Sequence, residues 1–217
     1  MRLILAQNIT TARNKLFNQL NMSSITQPIL LASSSPYRQQ LLQKILPAFD
    51  TASPQIDESP KKDENAMQLA ERLGIAKAQA LRAQYPEHLI ISSDQTACCN
   101  TLILGKPGGR ESAIQQLMHC NAQQVIFYTS VSVLNAKTGE YRNHIDQTTV
   151  YFRHLTSEQI TRYVDREQPY DCAGSFKVEA LGIALFEKIE SNDPNALIGL
   201  PLLTLVSLLE SFGIAIL

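Results

Sequence analysis

The chain has 217 residues, 44% hydrophobic and 18% charged, enough apolar material for one domain with a sizeable core or two small lobes around a cleft. With 19 Lys and Arg against 20 Asp and Glu, the net charge is −1, which gives no electrostatic reason to expect duplex nucleic acid or an anionic membrane as the main partner. The four cysteines, Cys98, Cys99, Cys120 and Cys172, form no C-x-x-C pair, which argues for free thiols over a zinc site or a disulfide framework.

In chain order, Arg2 to Leu20 predicts an amphipathic helix, followed by a polar linker, Asn21 to Gln27. Residues 1–27 thus read as an extension ahead of a domain spanning 28–217, with Met22 as an alternative start. The apolar part of Met1 to Gln7 is too short for a secretory signal, and no apolar run approaches transmembrane length, so the cytoplasm is the expected compartment. Ile29 to Ala32 is an apolar run bounded by Pro28 and three serines, the pattern of a buried strand. Ser33-Ser34-Ser35-Pro36 then opens an amphipathic helix over Tyr37 to Leu46, because serine is a good N-cap and proline suits the first turn. Such a strand–turn–helix unit favours anions at its exposed amides, and Arg38 adds a forked donor for phosphate.

Ala48 to Ser53 predicts a short strand, and Pro54 to Pro60 a proline-bounded loop carrying Asp57 and Glu58. Asp63 is expected to cap a helix reaching about Tyr85, with Lys77 inside it. Leu89 to Ser92 predicts a four-residue buried strand. Asp94 would then stand at its carboxyl end, the usual place of a ligand crevice in open α/β sheets. Gly105-Lys106-Pro107 holds a lysine on a constrained loop that lacks the spacing of a Walker A motif. A helix follows over Arg110 to Cys120. Gln124 to Asn135 and Glu140 to His154 predict a long hairpin turning at Lys137-Thr138-Gly139. Thr156 caps a helix to about Asp165, Ile183 to Ile189 predicts a strand, and Leu200 to Phe212 a final helix closed near Gly213.

Six strings occur in order: Ile29 to Arg38, Asp57-Glu58-Ser59-Pro60, Ser93-Asp94-Gln95, Gly105-Lys106-Pro107, Gly174-Ser175-Phe176-Lys177 and Asp193 to Pro201. Together they resemble the signature of the Maf family of nucleoside triphosphate pyrophosphatases. The resemblance implies an α/β fold: a mixed twisted sheet with flanking helices and two lobes around an elongated cleft. It implies hydrolysis of a nucleoside triphosphate to the monophosphate and pyrophosphate, with a divalent cation, Mg2+ or Mn2+, and a homodimer by family habit. The catalytic aspartate falls on Asp94, which on this reading accepts a proton from water, binds the metal, or both. Glu58 is the second metal carboxylate, and oxygen-only ligation suits these ions. Ser33, Arg38, Lys77 and Lys106 are the implied phosphate ligands, although chemistry alone does not separate Ser33 from its two neighbours.

Three variable places inside the motifs hold Tyr37, Gln95 and Glu179. The branch of the family acting on 7-methyl-GTP has an aromatic residue, usually Trp, then Gln, then Glu there, so Tyr37 is a partial match. An aromatic face attracts the cationic methylated base, and a carboxylate can accept from the guanine N1–H and 2-amino group. The alternatives are the dTTP- and UTP-cleaving branch, and a nucleotide-binding regulator of septum formation without turnover.

Overall fold

The computed structural model describes residues 27–217, so the helix expected over Arg2 to Leu20 and most of its linker lie outside the described residues. In order, the elements are β1 (Ile29–Ala32), α1 (Pro36–Leu42), β2 (Asp50–Ala52), α2 (Ala66–Leu81), β3 (Leu89–Cys99), β4 (Leu102–Leu104), α3 (Arg110–Cys120), β5 (Gln124–Asn135), β6 (Tyr141–Phe152), α4 (Ser157–Glu167), β7 (Phe186–Ser191) and α5 (Leu202–Ser211). Short 3-10 turns at Ala173–Ser175 and Leu181–Leu185 lie between α4 and β7. The strands form one mixed sheet in the order β2-β1-β3-β5-β6-β7, with β4 paired to β3. β1 is parallel to β2 and β3, and the remaining pairs are antiparallel.

Alternation along the central strands builds two apolar layers. Ile29, Leu31, Leu89, Ile91, Val131 and Val133 pack with residues of α1 and α5 on one face. Leu30, Ala32, Ile90 and Leu134 pack against Ala78 and Leu81 of α2 on the other. Covering both faces explains why β1 and the start of β3 read as continuous apolar runs. The far halves of β3, β5 and β6 contribute Ala97, Cys99, Val125, Phe127, Val150 and Phe152 to a separate core under α3 and α4. The two lobes therefore share the long strands β3 and β5, and the cleft opens between them.

Two local expectations are corrected. The strand at Leu89 does not stop at Ser92 but runs on to Cys99, so Asp94 is in mid-strand. The polar run Ser92 to Thr96 resembled a turn because its side chains favour turns. In the folded chain most of them find a partner instead: Ser92 Oγ donates to the Gly74 carbonyl at 2.6 Å, Ser93 Oγ to the Gly199 carbonyl at 2.7 Å, and Gln95 Nε2 to Thr129 Oγ1 at 2.9 Å. Asp94 still stands just beyond the carboxyl end of its parallel neighbour, because β1 pairs with β3 only over Leu89 to Ile91. The crevice argument thus survives with β1 as the strand that ends. The second correction is the cap of α2. Asn65, not Asp63, accepts from the Gln68 amide, and the Gln68 side chain accepts from the Asn65 amide in return.

Candidate active site

A cleft of about 650 Å³ is lined by all nine residues singled out in the sequence: Ser33, Tyr37, Arg38, Glu58, Lys77, Asp94, Gln95, Lys106 and Glu179. Local chemistry explains how each arrives there. Ser35 is the N-cap of α1, its hydroxyl accepting from the Arg38 amide at 3.4 Å. Ser33 is buried, and its Oγ accepts from the Ser35 amide at 3.2 Å, which leaves its hydroxyl proton free for the cleft. The structure thereby gives Ser33 and Ser35 different tasks. Since α1 is only seven residues long, side chains rather than a long helix dipole must supply most of the anion affinity.

Lys77 lies three residues after Gly74 on α2, hence on the same helix face, turned toward the sheet. A Cβ on Gly74 would fall 2.2 Å from Ser130 Oγ, so only glycine lets α2 come this close to β5. The Lys77 stem is consequently buried, with 8% of the residue exposed, and its ammonium emerges at the cleft floor. There Nζ meets Asp94 Oδ1 at 2.5 Å and Glu58 Oε1 at 2.8 Å. Asp94 itself is 6% exposed. Burial pushes its carboxyl above the usual aspartate range, against the opposing pull of Lys77 and Arg38. Glu58 is exposed; its burial cost is outweighed by the Lys77 hydrogen bond and the charges of Lys77, Lys106 and Arg38, which hold it below the ordinary glutamate value. Burial lowers the Arg38 guanidinium, while Asp94 and Glu58 act in the opposite sense. Lys106 is exposed on its loop at the rim.

At the other end burial pushes the Tyr37 hydroxyl up, and of the charges around it Lys177 acts most strongly, in the opposite sense to Glu179 and Asp171. Lys177 Nζ is 3.7 Å from Asp171 Oδ1. Asp171 is thus paired with Lys177, and Glu179 is the carboxylate at this end that forms no ion pair among the described residues. Gln95 donates through Nε2 to Thr129 Oγ1 and to the carbonyls of Ala196 and Leu197, at 2.9, 2.9 and 3.1 Å. Those carbonyls cannot donate, so the amide orientation is fixed and only Oε1 remains to face a ligand. Sequence reasoning assigned no role to Asp171, Cys172 or Lys177, nor to Phe127, which also lines the cleft. The Lys177 charge was visible inside a motif, but its place beside Tyr37 depends on the packing of the Gly174 to Lys177 loop.

Among the described residues no group of three or more His, Cys, Asp or Glu is placed to hold a metal, so a divalent cation would draw only two protein carboxylates here. Glu58 and Asp94 already converge on one positive group, the Lys77 ammonium, and both offer only oxygen.

The Maf-like protein family model matches residues 28–212. Over 189 residues the chain is 51% identical to the 7-methyl-GTP pyrophosphatase of Vibrio vulnificus (strain CMCP6), covering 87% of this chain and 97% of that one. A protein of the same name from Hahella chejuensis (strain KCTC 2396) is 50% identical over 189 residues, covering 87% and 95%. Among solved structures, the Staphylococcus aureus Ham1 protein is similar with a TM-score of 0.43 and 13% identity, over 71% of this chain and 89% of that one.

Proposed function

The chain belongs to the Maf family, and from that premise and the chemistry of the cleft we propose that it is a nucleoside triphosphate pyrophosphatase acting on 7-methyl-GTP. The observation that carries this reading is the arrangement of one cleft: two carboxylates meeting on Lys77 at one end, beside Arg38 and Lys106, and Tyr37 with Glu179 at the other. The relatives that bear this name match over nearly their whole length.

In this reading Arg38, Lys77, Lys106 and the Ser33 hydroxyl hold the triphosphate and neutralise the charge that builds as the anhydride breaks. Water attacks the α-phosphorus, a new P–O bond forms, and the bond from that phosphorus to the bridging oxygen breaks. Pyrophosphate leaves with the electron pair. The Asp94 carboxylate accepts the proton from water. Glu58 and Asp94 would hold Mg2+ or Mn2+, which when bound supplies Lewis-acid polarisation of the phosphoryl oxygens. Tyr37 stacks on the methylated base, whose positive charge suits the aromatic face. Glu179 accepts from the guanine N1–H and 2-amino group, and Gln95 Oε1 offers a further acceptor. Pyrimidines cannot supply the same pair of donors. Nucleoside triphosphates are cytoplasmic, and that is the compartment this function calls for.

Hydrolysis of 7-methyl-GTP in water enriched in the heavy oxygen isotope tests the reaction class. The expected result is one labelled oxygen in the nucleoside monophosphate and none in pyrophosphate. Label in pyrophosphate, or release of orthophosphate alone, would contradict attack at the α-phosphorus.

A further inference from the structure

The loop from Asp193 to Pro201 touches both ends of the cleft machinery through its backbone. The carbonyls of Ala196 and Leu197 take the Gln95 amide. One residue pair further on, the Gly199 carbonyl accepts from Arg38 Nε at 2.9 Å and from Ser93 Oγ at 2.7 Å. The loop is itself pinned. Buried Asp193 accepts from the Asn195 amide and side chain at 2.8 and 2.9 Å, and from the Leu203 amide at 2.7 Å.

Resting on the pyrophosphatase reading, we propose that Gly199 is a positioning residue for the reaction: its carbonyl tethers Arg38 by Nε and so aims the guanidinium at the phosphates. The fields of Asp94 and Glu58 both reach Arg38, yet among the described residues it forms no ion pair with either. Without a tether, a flexible arginine beside two carboxylates would fold onto them in the empty cleft. Spending Nε on a backbone carbonyl holds the planar group away and leaves the terminal nitrogens for bidentate phosphate contact. Gly199 has φ +126°, a region that side-chain-bearing residues rarely adopt, and a Cβ there would stand 3.5 Å from Arg38 Nε. The contact is ordinary but the backbone conformation is not. An added side chain would therefore shift the peptide and move the carbonyl away from Arg38.

The test is a double-mutant cycle on inorganic tripolyphosphate affinity, with kcat/KM for 7-methyl-GTP measured in parallel. Gly199→Ala is expected to weaken tripolyphosphate binding about tenfold or more, the size of one hydrogen bond to a charged group. In an Arg38→Met background the same change is expected to have almost no further effect, because the tethered group is gone. Equal losses in both backgrounds, or no loss in either, would overturn the proposal. A second variant, Arg38→Lys, keeps the charge but lacks the side donor, and is expected to bind tripolyphosphate nearly as weakly as Arg38→Met. Near-native affinity in Arg38→Lys would also overturn the proposal, and does so even if Gly199→Ala fails to fold. Failure of the native protein to bind tripolyphosphate at all would instead sink the phosphate-site reading beneath it.

Discussion

Asp94 holds its carboxylate in a place where burial favours the neutral acid and Lys77 and Arg38 favour the ion. That balance gives the residue a base of useful strength, and it gives turnover a pH limb. Activity is expected to fall at acid pH once Asp94 is protonated, since the protonated acid can neither take a proton from water nor hold a cation. Asp94→Asn should retain the fold and lose roughly 100- to 10,000-fold in kcat, the usual contribution of a general base. A folded Asp94→Asn protein turning over at near-native rate would remove Asp94 from the chemistry. Asp146 makes a different case. It is buried on β6 and its Oδ1 has no hydrogen-bond partner among the described residues. Burial and the nearby Asp193 raise its pKa, with only His144 pulling the other way. A folded pKa above the unfolded value means stability is full below the unfolded carboxylate pKa, about 4, and declines as pH rises through the folded value. Asp146→Asn should therefore raise the melting temperature more at pH 7 than at pH 4. About 1 kcal/mol is worth roughly 2–4 °C in a chain of this size. An equal or larger gain at pH 4 would refute the assignment. The polar identity of these residues was legible in the sequence. Their burial was not, because it depends on what other strands and loops bring over them.

At the level of elements, two helices matched their patterns closely, one of them without a side-chain cap. Arg110–Cys120 has the bounds its pattern predicted, and Thr156 caps α4 with Gln159 returning the hydrogen bond. The β5–β6 hairpin was equally plain, with strand-forming residues on either side of a Gly139 turn. The centre of β3 was hidden because its polar side chains find partners on α2, on the loop after β7 and on β5, a long-range solution that local propensity does not register. The Gly174 to Lys177 string shows why a motif need not act through its polar members. Buried Phe176 stacks edge-to-face on Phe127, Phe152 and Phe186, with ring centroids 5.3, 5.9 and 4.7 Å apart. Such pairs add about 0.5–1.5 kcal/mol each beyond burial, and they anchor the segment that carries Glu179. Phe176→Ala should cost about 3–5 kcal/mol, lowering the melting temperature by roughly 6–20 °C. It should also narrow the preference for 7-methyl-GTP over GTP. An unchanged preference in the folded fraction would show that Glu179 is held by something else.

For the whole molecule, the sheet matters chiefly because its two halves carry separate cores and leave a cleft along the shared strands. The mixed α/β class and nine of the residues lining the cleft could be inferred from six short strings and the family they resemble, since every string contributes at least one residue to the same cleft. What they could not convey is the convergence of Glu58 and Asp94 on one lysine, or the service of a single C-terminal loop to both Gln95 and Arg38. Both depend on contacts between residues far apart in the chain. One end of the cleft gathers Arg38, Lys77 and Lys106 and the other Tyr37 and Glu179, although the chain as a whole is almost neutral. That arrangement is what matches a negatively charged triphosphate bearing a positively charged base. The most direct measurement is kcat/KM for 7-methyl-GTP, GTP, dTTP and UTP on the native protein and on Glu179→Ala, at fixed Mg2+. The account predicts a large preference of the native protein for 7-methyl-GTP over the other three, and a narrowed one in the variant. A native protein that cleaves dTTP or UTP best, or a preference untouched by loss of Glu179, would contradict it.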